Sequence, residues 1–362
     1  MRTLYLDANA SEPLRPEARA AVVAALDVVG NPSSVHGEGR AARRILEHAR
    51  AQVAGRFGCR PRDVVFTAGA TEANALAIHG LSAGRRILAG ATEHPAVLRA
   101  APGVLTVPVL QDGRIDLAAL EALLADGPPA LVCVMAANNE TGVLHPLEDV
   151  MLLCQRHGAL LHIDAVQVAG RMPLSLAASG ADSMALSAHK MGGPKGAGAL
   201  LLRPGLDLVT LLPGGGQERS RRGGTEALPA IAGFGAAAEA ADPAAAARLL
   251  QLRDGIEAGA GVPVPGQMAP RLPNTACLLL PGMPAETQVI ALDIAGLRVS
   301  AGSACSSGKV AASHVLLAMG LSPAEAGSAI RVSLPWNAPD DAVEQFLAGY
   351  AAMRQRMARR AA

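Results

Sequence analysis

The chain has 362 residues, half of them hydrophobic but only 2% aromatic, with 39 glycines; such a core is built from Ala, Val and Leu, and the length is enough for two domains. Lys and Arg total 32 against 31 Asp and Glu, a formal charge of +1, which excludes a global field that recruits nucleic acid or an anionic membrane. No apolar run reaches the roughly 18 residues a membrane span needs, and Met1-Arg2-Thr3-Leu4-Tyr5 leads into a strand-like segment rather than a signal peptide, so the expected location is cytoplasmic.

Residues 1 to 15 read as a short strand and a loop, Tyr5-Leu6-Asp7-Ala8-Asn9-Ala10. A helical pattern follows from Pro16 to about Val29, and Asn31-Pro32-Ser33-Ser34-Val35-His36-Gly37 breaks it with turn residues. Past Gly58, strand and helix patterns alternate. Strand candidates are Val64 to Thr67, Arg86 to Ala89, Val104 to Val109, Ala130 to Met135, Ala159 to Asp164, Ser183 to Ser187 and Gly198 to Leu202. Helical patterns, such as Leu117 to Leu124 and Leu147 to Arg156, lie between several of them. The alternation argues for a mostly parallel seven-stranded sheet sandwiched by helices, in the α/β class.

An Ala-rich stretch from Ala227 to Gly259 reads as two helices leaving that sheet. A smaller α+β part follows, with strands at Asn274 to Leu280, Leu297 to Ser300 and Ile330 to Leu334 and a last helix from Pro339. The expected division is residues 16–258 as a large domain, with 1–15 and 259–362 as a small one.

Ligands of such sheets bind at the carboxyl ends of the strands, and polar clusters fall there. Leu186-Ser187-Ala188-His189-Lys190 closes an apolar strand on a lysine, followed by Met191-Gly192-Gly193-Pro194-Lys195. A buried ammonium is costly unless it is paired or converted, for example to a Schiff base; the alternative is a lysine that snorkels to solvent. Gly69-Ala70-Thr71 opens a helix, and serves either as a plain helix start or as a phosphate cradle. Thr92-Glu93-His94, Asn138-Asn139-Glu140-Thr141-Gly142 and Asp164-Ala165-Val166-Gln167 follow three further strands in register.

The five cysteines, Cys59, Cys133, Cys154, Cys277 and Cys305, are odd in number and form no Cys-x-x-Cys pair. Neither a disulfide framework nor a resident metal site is indicated. Cys305 stands apart, among the small residues Ser303, Ala304, Ser306, Ser307 and Gly308, where nothing bulky shields a thiol.

These clusters, with Gly69-Ala70-Thr71-Glu72-Ala73-Asn74, Gly214-Gly215-Gly216-Gln217-Glu218-Arg219 and Gly302-Ser303-Ala304-Cys305-Ser306-Ser307, appear in one order from Tyr5 to about Ser333. The set resembles the cysteine desulfurases, pyridoxal 5'-phosphate enzymes of the aspartate-aminotransferase fold (class-V aminotransferase group). The resemblance implies that Lys190 forms the Schiff base and moves the Cα proton, that Asp164 keeps the ring nitrogen protonated, and that Gln167 bonds the ring hydroxyl. It makes His94 the stacking imidazole that carries protons. Ala70, Thr71, Ser187 and His189 would hold the phosphate, with Thr225 reaching in from a second subunit of a homodimer with shared active sites. Arg331, helped by Asn139 and with Asn31 nearby, would bind the substrate carboxylate. Cys305 becomes the nucleophile that takes sulfur from L-cysteine as a persulfide, leaving L-alanine.

The implied partner is a sulfur-acceptor protein such as an iron–sulfur scaffold, whose cluster would touch Cys305 only transiently. Glu12, Ser220 and the segment Lys309 to His314 depart from the family pattern, Glu12 placing a carboxylate near the entrance. Two other readings stay open: a selenocysteine lyase or another pyridoxal-phosphate β-lyase, and a non-catalytic regulatory protein on the same fold.

Overall fold

The computed structural model describes residues 3–302 and 312–361. The chain enters through β1 (Leu4–Tyr5), runs along the small part of the molecule, and then forms the helices Pro16–Leu26 and Gly37–Arg56. The first helix stops at Leu26, earlier than the expected Val29, because Asp27 and the Gly30-Asn31-Pro32 turn carry the chain away.

Seven strands make the main sheet: β2 (Val64–Thr67), β3 (Arg86–Gly90), β4 (Leu105–Val107), β5 (Ala130–Met135), β6 (Leu160–Asp164), β7 (Ser183–Ser187) and β8 (Gly198–Leu202). Their order is β2-β8-β7-β6-β5-β3-β4. Only β8 opposes its neighbours, pairing antiparallel with β7 and β2, so the expected mostly parallel seven-stranded sheet is the one observed. β4 is shorter than its apolar run, ending before Pro108, which has no N–H to continue a ladder.

Helices cover both faces, and the strand side chains divide between them. Val132 and Val134 of β5 face a core shared with Leu46, Val150 and Phe234, whereas Leu131 and Cys133 face one shared with Leu76 and Ile78. Burial on both faces explains why all six residues of β5 are apolar, since a strand of this kind has no polar side to alternate. Two of the few aromatics meet here, Phe66 and Phe234 packing edge-on with centroids 6.2 Å apart.

The remaining strands are β9 (Thr275–Leu279), β10 (Leu297–Arg298), β11 (Ser300–Ala301) and β12 (Ala329–Ser333). β12 lies between β11 and β9, antiparallel to both, and β10 pairs in parallel with β1. The expected single strand from Leu297 to Ser300 is thus two, because its halves serve different partners. Leu6, Leu249, Ile256, Leu278, Ile330 and Phe346 share a second core, so the N-terminal segment and the helices Ala246–Ala260 and Ala342–Ala361 pack on this smaller sheet. An isolated parallel bridge between Asp7 and Ser333 of β12 then leads the N-terminal loop to the carboxyl ends of β5 and β6, where Asn9 meets Asn139 and Gln167. Among the described residues no helix is long and apolar enough to cross a membrane.

Candidate active site

The carboxyl ends of β2, β3, β5, β6 and β7 open on one cavity of about 750 Å³, whose opposite wall is Asn9 of the N-terminal loop and Arg331 of β12. It is lined by Ala70, Thr71, His94, Asn139, Asp164, Gln167, Ser187, His189, Lys190 and Arg331, all of them expected from the sequence. The close approach of β8 to the turn after β2 shapes one wall, since a Cβ on Gly198 would lie 2.6 Å from the Gly69 Cα.

Lys190 sits in a short 3₁₀ turn directly after β7, and its Nζ donates to the carbonyl of Asn9. Burial lowers its pKa to about 8, helped by the guanidinium groups of Arg331 and Arg171 and opposed by Asp7 and Asp164. A primary amine poised there is a nucleophile close to neutrality. His189 beside it is held near pKa 4 by burial and by the charges of Lys190 and Lys195, and remains neutral; its Nδ1 lies 3.3 Å from Ser11 Oγ.

Asp164 ends β6. Its Oδ2 accepts from Asn74 Nδ2 at 2.8 Å and its Oδ1 from the Val166 N–H at 3.1 Å. The Oδ1 of Asn74 faces His162 Nε2 at 2.8 Å, and His162 Nδ1 faces Ser183 Oγ at 2.8 Å. Burial drives the His162 pKa to about 3, so the ring is neutral and carries one proton. Asn74 spends its amide on Asp164 and must accept at Oδ1, so that proton is on Nε2 and the Ser183 hydroxyl donates to Nδ1. The carboxylate is therefore fixed by a fully assigned neutral chain.

His94 follows β3 and caps the turn Pro95–Leu98, its Nδ1 accepting from the Ala96 N–H at 3.1 Å. Desolvation lowers its pKa, Asp164 acting in the opposite sense. Ala70 and Thr71 form the first turn of the twelve-residue helix Ala70–Leu81, ahead of the first intrahelical bond, from Ala73 N–H to Gly69 O at 3.1 Å. Their N–H groups stand at the positive end of the helix dipole, where an anion is favoured.

Arg331 is 2% exposed. Its Nη2 donates to Asp7 Oδ1 at 2.6 Å and its Nη1 to the Asn139 carbonyl at 3.1 Å, which aims the fork along the cavity wall. Gln167 donates from Nε2 to the Asn9 carbonyl at 3.1 Å, so one peptide oxygen serves both Gln167 and Lys190.

Two of the expected residues, Asn31 and Thr225, lie outside the large cavity of their own chain. Asn31 is exposed and does not line the cavity; its loop, with Pro32 and Ser33, borders a smaller one of about 210 Å³. The reason is that the preceding helix packs on Leu228–Ala240 rather than on the carboxyl ends of the strands. Thr225 is likewise exposed and outside the large cavity of its own chain. Cys305 lies outside the described residues. Glu12, expected near the entrance, is instead 8% exposed and pairs with Arg171 at 3.2 Å, because an unpaired carboxylate could not be buried there.

Sequence reasoning assigned no role to Asn74, Asn9, His162 or Arg171. The available signals were a lone Asn in the apolar helix run Ala73 to Ile78 and a His inside the strand Leu160–Asp164.

The chain matches the Aminotransferase class-V family over residues 4–346. A cysteine desulfurase of Cereibacter sphaeroides is 42% identical, with 92% of this chain and 91% of that protein aligned. The X-ray structure of a NifS-like protein from Rickettsia africae ESF-5 superposes with a TM-score of 0.91 at 32% identity, covering 98% of this chain and all of that one. A solved structure described as SspA in complex with cysteine superposes at a TM-score of 0.82 and 31% identity, covering 92% and 99% of the two chains. An architecture shared almost end to end and sequence identity at this level place the chain in one family: it belongs to the class-V aminotransferases, among the cysteine desulfurases.

Proposed function

We propose that the chain is a pyridoxal-phosphate enzyme that converts L-cysteine to L-alanine and passes the sulfur to Cys305 as a persulfide. The observation that carries this reading is the pairing, across one cavity, of the low-pKa amine of Lys190 with the Asp164 carboxylate fixed by Asn74. The residues fit the cofactor. Ala70 and Thr71 offer free N–H groups to a phosphate, with Ser187 and His189 beside them, and Asp164 offers a fixed anion to a ring nitrogen. When bound, the cofactor supplies an electron sink for charge developing at the substrate Cα.

The other contributions belong to the protein. Arg331 takes the substrate carboxylate with Asn139 beside it, and Lys190 accepts and returns the Cα proton at Nζ. His94 would cover the cofactor face, and desolvation, which lowers its pKa, favours the neutral imidazole for proton transfer. Cys305 as thiolate attacks the substrate sulfur; the S–S bond forms as C–S breaks, the electron pair stays with the three-carbon fragment, and protonation releases alanine. Thr225, exposed on its own chain, would complete the phosphate site of a second copy in a homodimer. A sulfur-acceptor protein, such as an iron–sulfur scaffold, would then collect the persulfide.

The test is direct. Purified protein should absorb in the visible, borohydride should fix the cofactor on Lys190, and L-cysteine should give equal alanine and sulfide in the presence of a reductant. Cys305→Ser should lose sulfide release. A colourless protein that takes up no pyridoxal phosphate would sink the reading, and faster release from L-selenocysteine than from L-cysteine would redirect it to a selenocysteine lyase.

A further inference from the structure

Behind the cavity, Glu12 and Arg171, which the reaction above leaves unused, form a buried chain with the cavity-lining Gln167. Arg171 is 5% exposed and its guanidinium is fully engaged. Nη1 donates to Gln167 Oε1 at 2.5 Å and to the Gln167 carbonyl at 3.0 Å. Nη2 donates to the Ala8 carbonyl at 3.1 Å and to Glu12 Oε1 at 3.2 Å, and Nε reaches the same Glu12 oxygen at 3.4 Å. The other Glu12 oxygen accepts from the Trp336 N–H at 3.2 Å, which holds the acid from the far side.

A glutamine amide has an acceptor end and a donor end that can exchange by rotation about χ3. A guanidinium has donors only, so the end that meets Arg171 must be Oε1. The NH₂ group is thereby turned away, toward Asn9 and the cavity. We propose that the Glu12–Arg171 pair is a positioning device that locks the Gln167 amide with its donor end toward the ring oxygen of the bound cofactor. The inference rests on the pyridoxal-phosphate reading of the cavity.

The chemistry calls for such a lock. The ring oxygen is most useful as an anion, and an amide turned the other way would set lone pair against lone pair. A lysine at position 171 would keep the charge against Glu12 but replace the rigid fork with a point donor, releasing the amide.

The experiment measures cofactor dissociation and the pH midpoint of the visible band in full-length wild type, Arg171→Lys, Gln167→Ala, the double variant and Gln167→Glu. Arg171→Lys and Gln167→Ala should each weaken cofactor binding about tenfold, the scale of one hydrogen bond to a charged group. Both should raise the midpoint, since losing a donor on the ring oxygen lets the chromophore hold its proton to higher pH. The double variant should match Gln167→Ala, because Arg171 acts through Gln167. Gln167→Glu keeps the contact with Arg171 but removes the donor end, so it should fold and bind more weakly than Gln167→Ala. Equal effects of Arg171→Lys with and without Gln167, or wild-type behaviour of Gln167→Glu, would overturn the inference while leaving the cofactor reading intact. A wild type that never acquires a visible band would overturn both.

Discussion

Asn74 and Asp164 are joined at 2.8 Å, amide to carboxylate, although one lies on the helix after β2 and the other ends β6. Replacing Asn74 by Ala leaves an Asp164 oxygen and the His162 N–H without partners in the interior. The expected cost is about 2 kcal/mol of stability, the scale for orphaning buried polar groups. Urea unfolding of the two proteins measures it, and an unchanged midpoint would deny the chain its structural role.

Lys190 yields a pH prediction. Its pKa of about 8 means that the neutral, nucleophilic amine grows as pH rises toward that value and is nearly complete above it. The rate of cofactor loading, followed by stopped-flow absorbance, should climb through pH 8 and then level. Lys190→Ala should lose turnover by several orders of magnitude even where cofactor still binds, since the proposed reaction takes the Cα proton at Lys190 Nζ. A rate still rising at pH 10 would show an ordinary exposed lysine.

Glu140 titrates in an unusual range. Burial raises its pKa to about 7, against the pull of the Ser313 hydroxyl, which donates to Oε2 at 2.5 Å, and of Arg331. The folded value lies above the ordinary carboxyl value of 4.5, so the folded state holds a proton that the unfolded chain releases between them. The resulting stability is full below pH 4.5 and is lost as pH rises through about 7, by about 3 kcal/mol in all. Glu140→Gln should flatten that part of the profile. Parallel wild-type and variant curves would refute the assignment.

Arg331 is aimed by Asp7 and by the Asn139 carbonyl. Arg331→Lys loses the bidentate fork, and the expected effect is a KM for L-cysteine raised at least about tenfold with a smaller change in kcat. Alanine formation across a substrate series separates the two. A lowered kcat at constant KM would place Arg331 outside carboxylate binding.

The alternation of strands and helices was legible because parallel strands buried on both faces are runs of apolar residues, as β5 is from Ala130 to Met135. Lys190, Asp164 and His94 were legible because a polar residue closing such a run is conspicuous. Asn74 and His162 were not. Each is flanked by apolar residues on both sides, and a sequence does not say that the two face each other. Glu12, expected to place a carboxylate near the entrance, is buried instead, because its partner Arg171 lies 159 residues away and sequence does not reveal the pairing.

The order of motifs along the chain determined the fold class, the family resemblance and the candidate side chains for the chemistry, since these depend on local pattern and residue type. Only the tertiary structure decided which of them share a cavity, because strand order β2-β8-β7-β6-β5-β3-β4 bears no simple relation to chain order. It also decided protonation and orientation. The low pKa of Lys190, the tautomer of His162 and the direction of the Gln167 amide follow from burial and from hydrogen-bond partners distant in sequence.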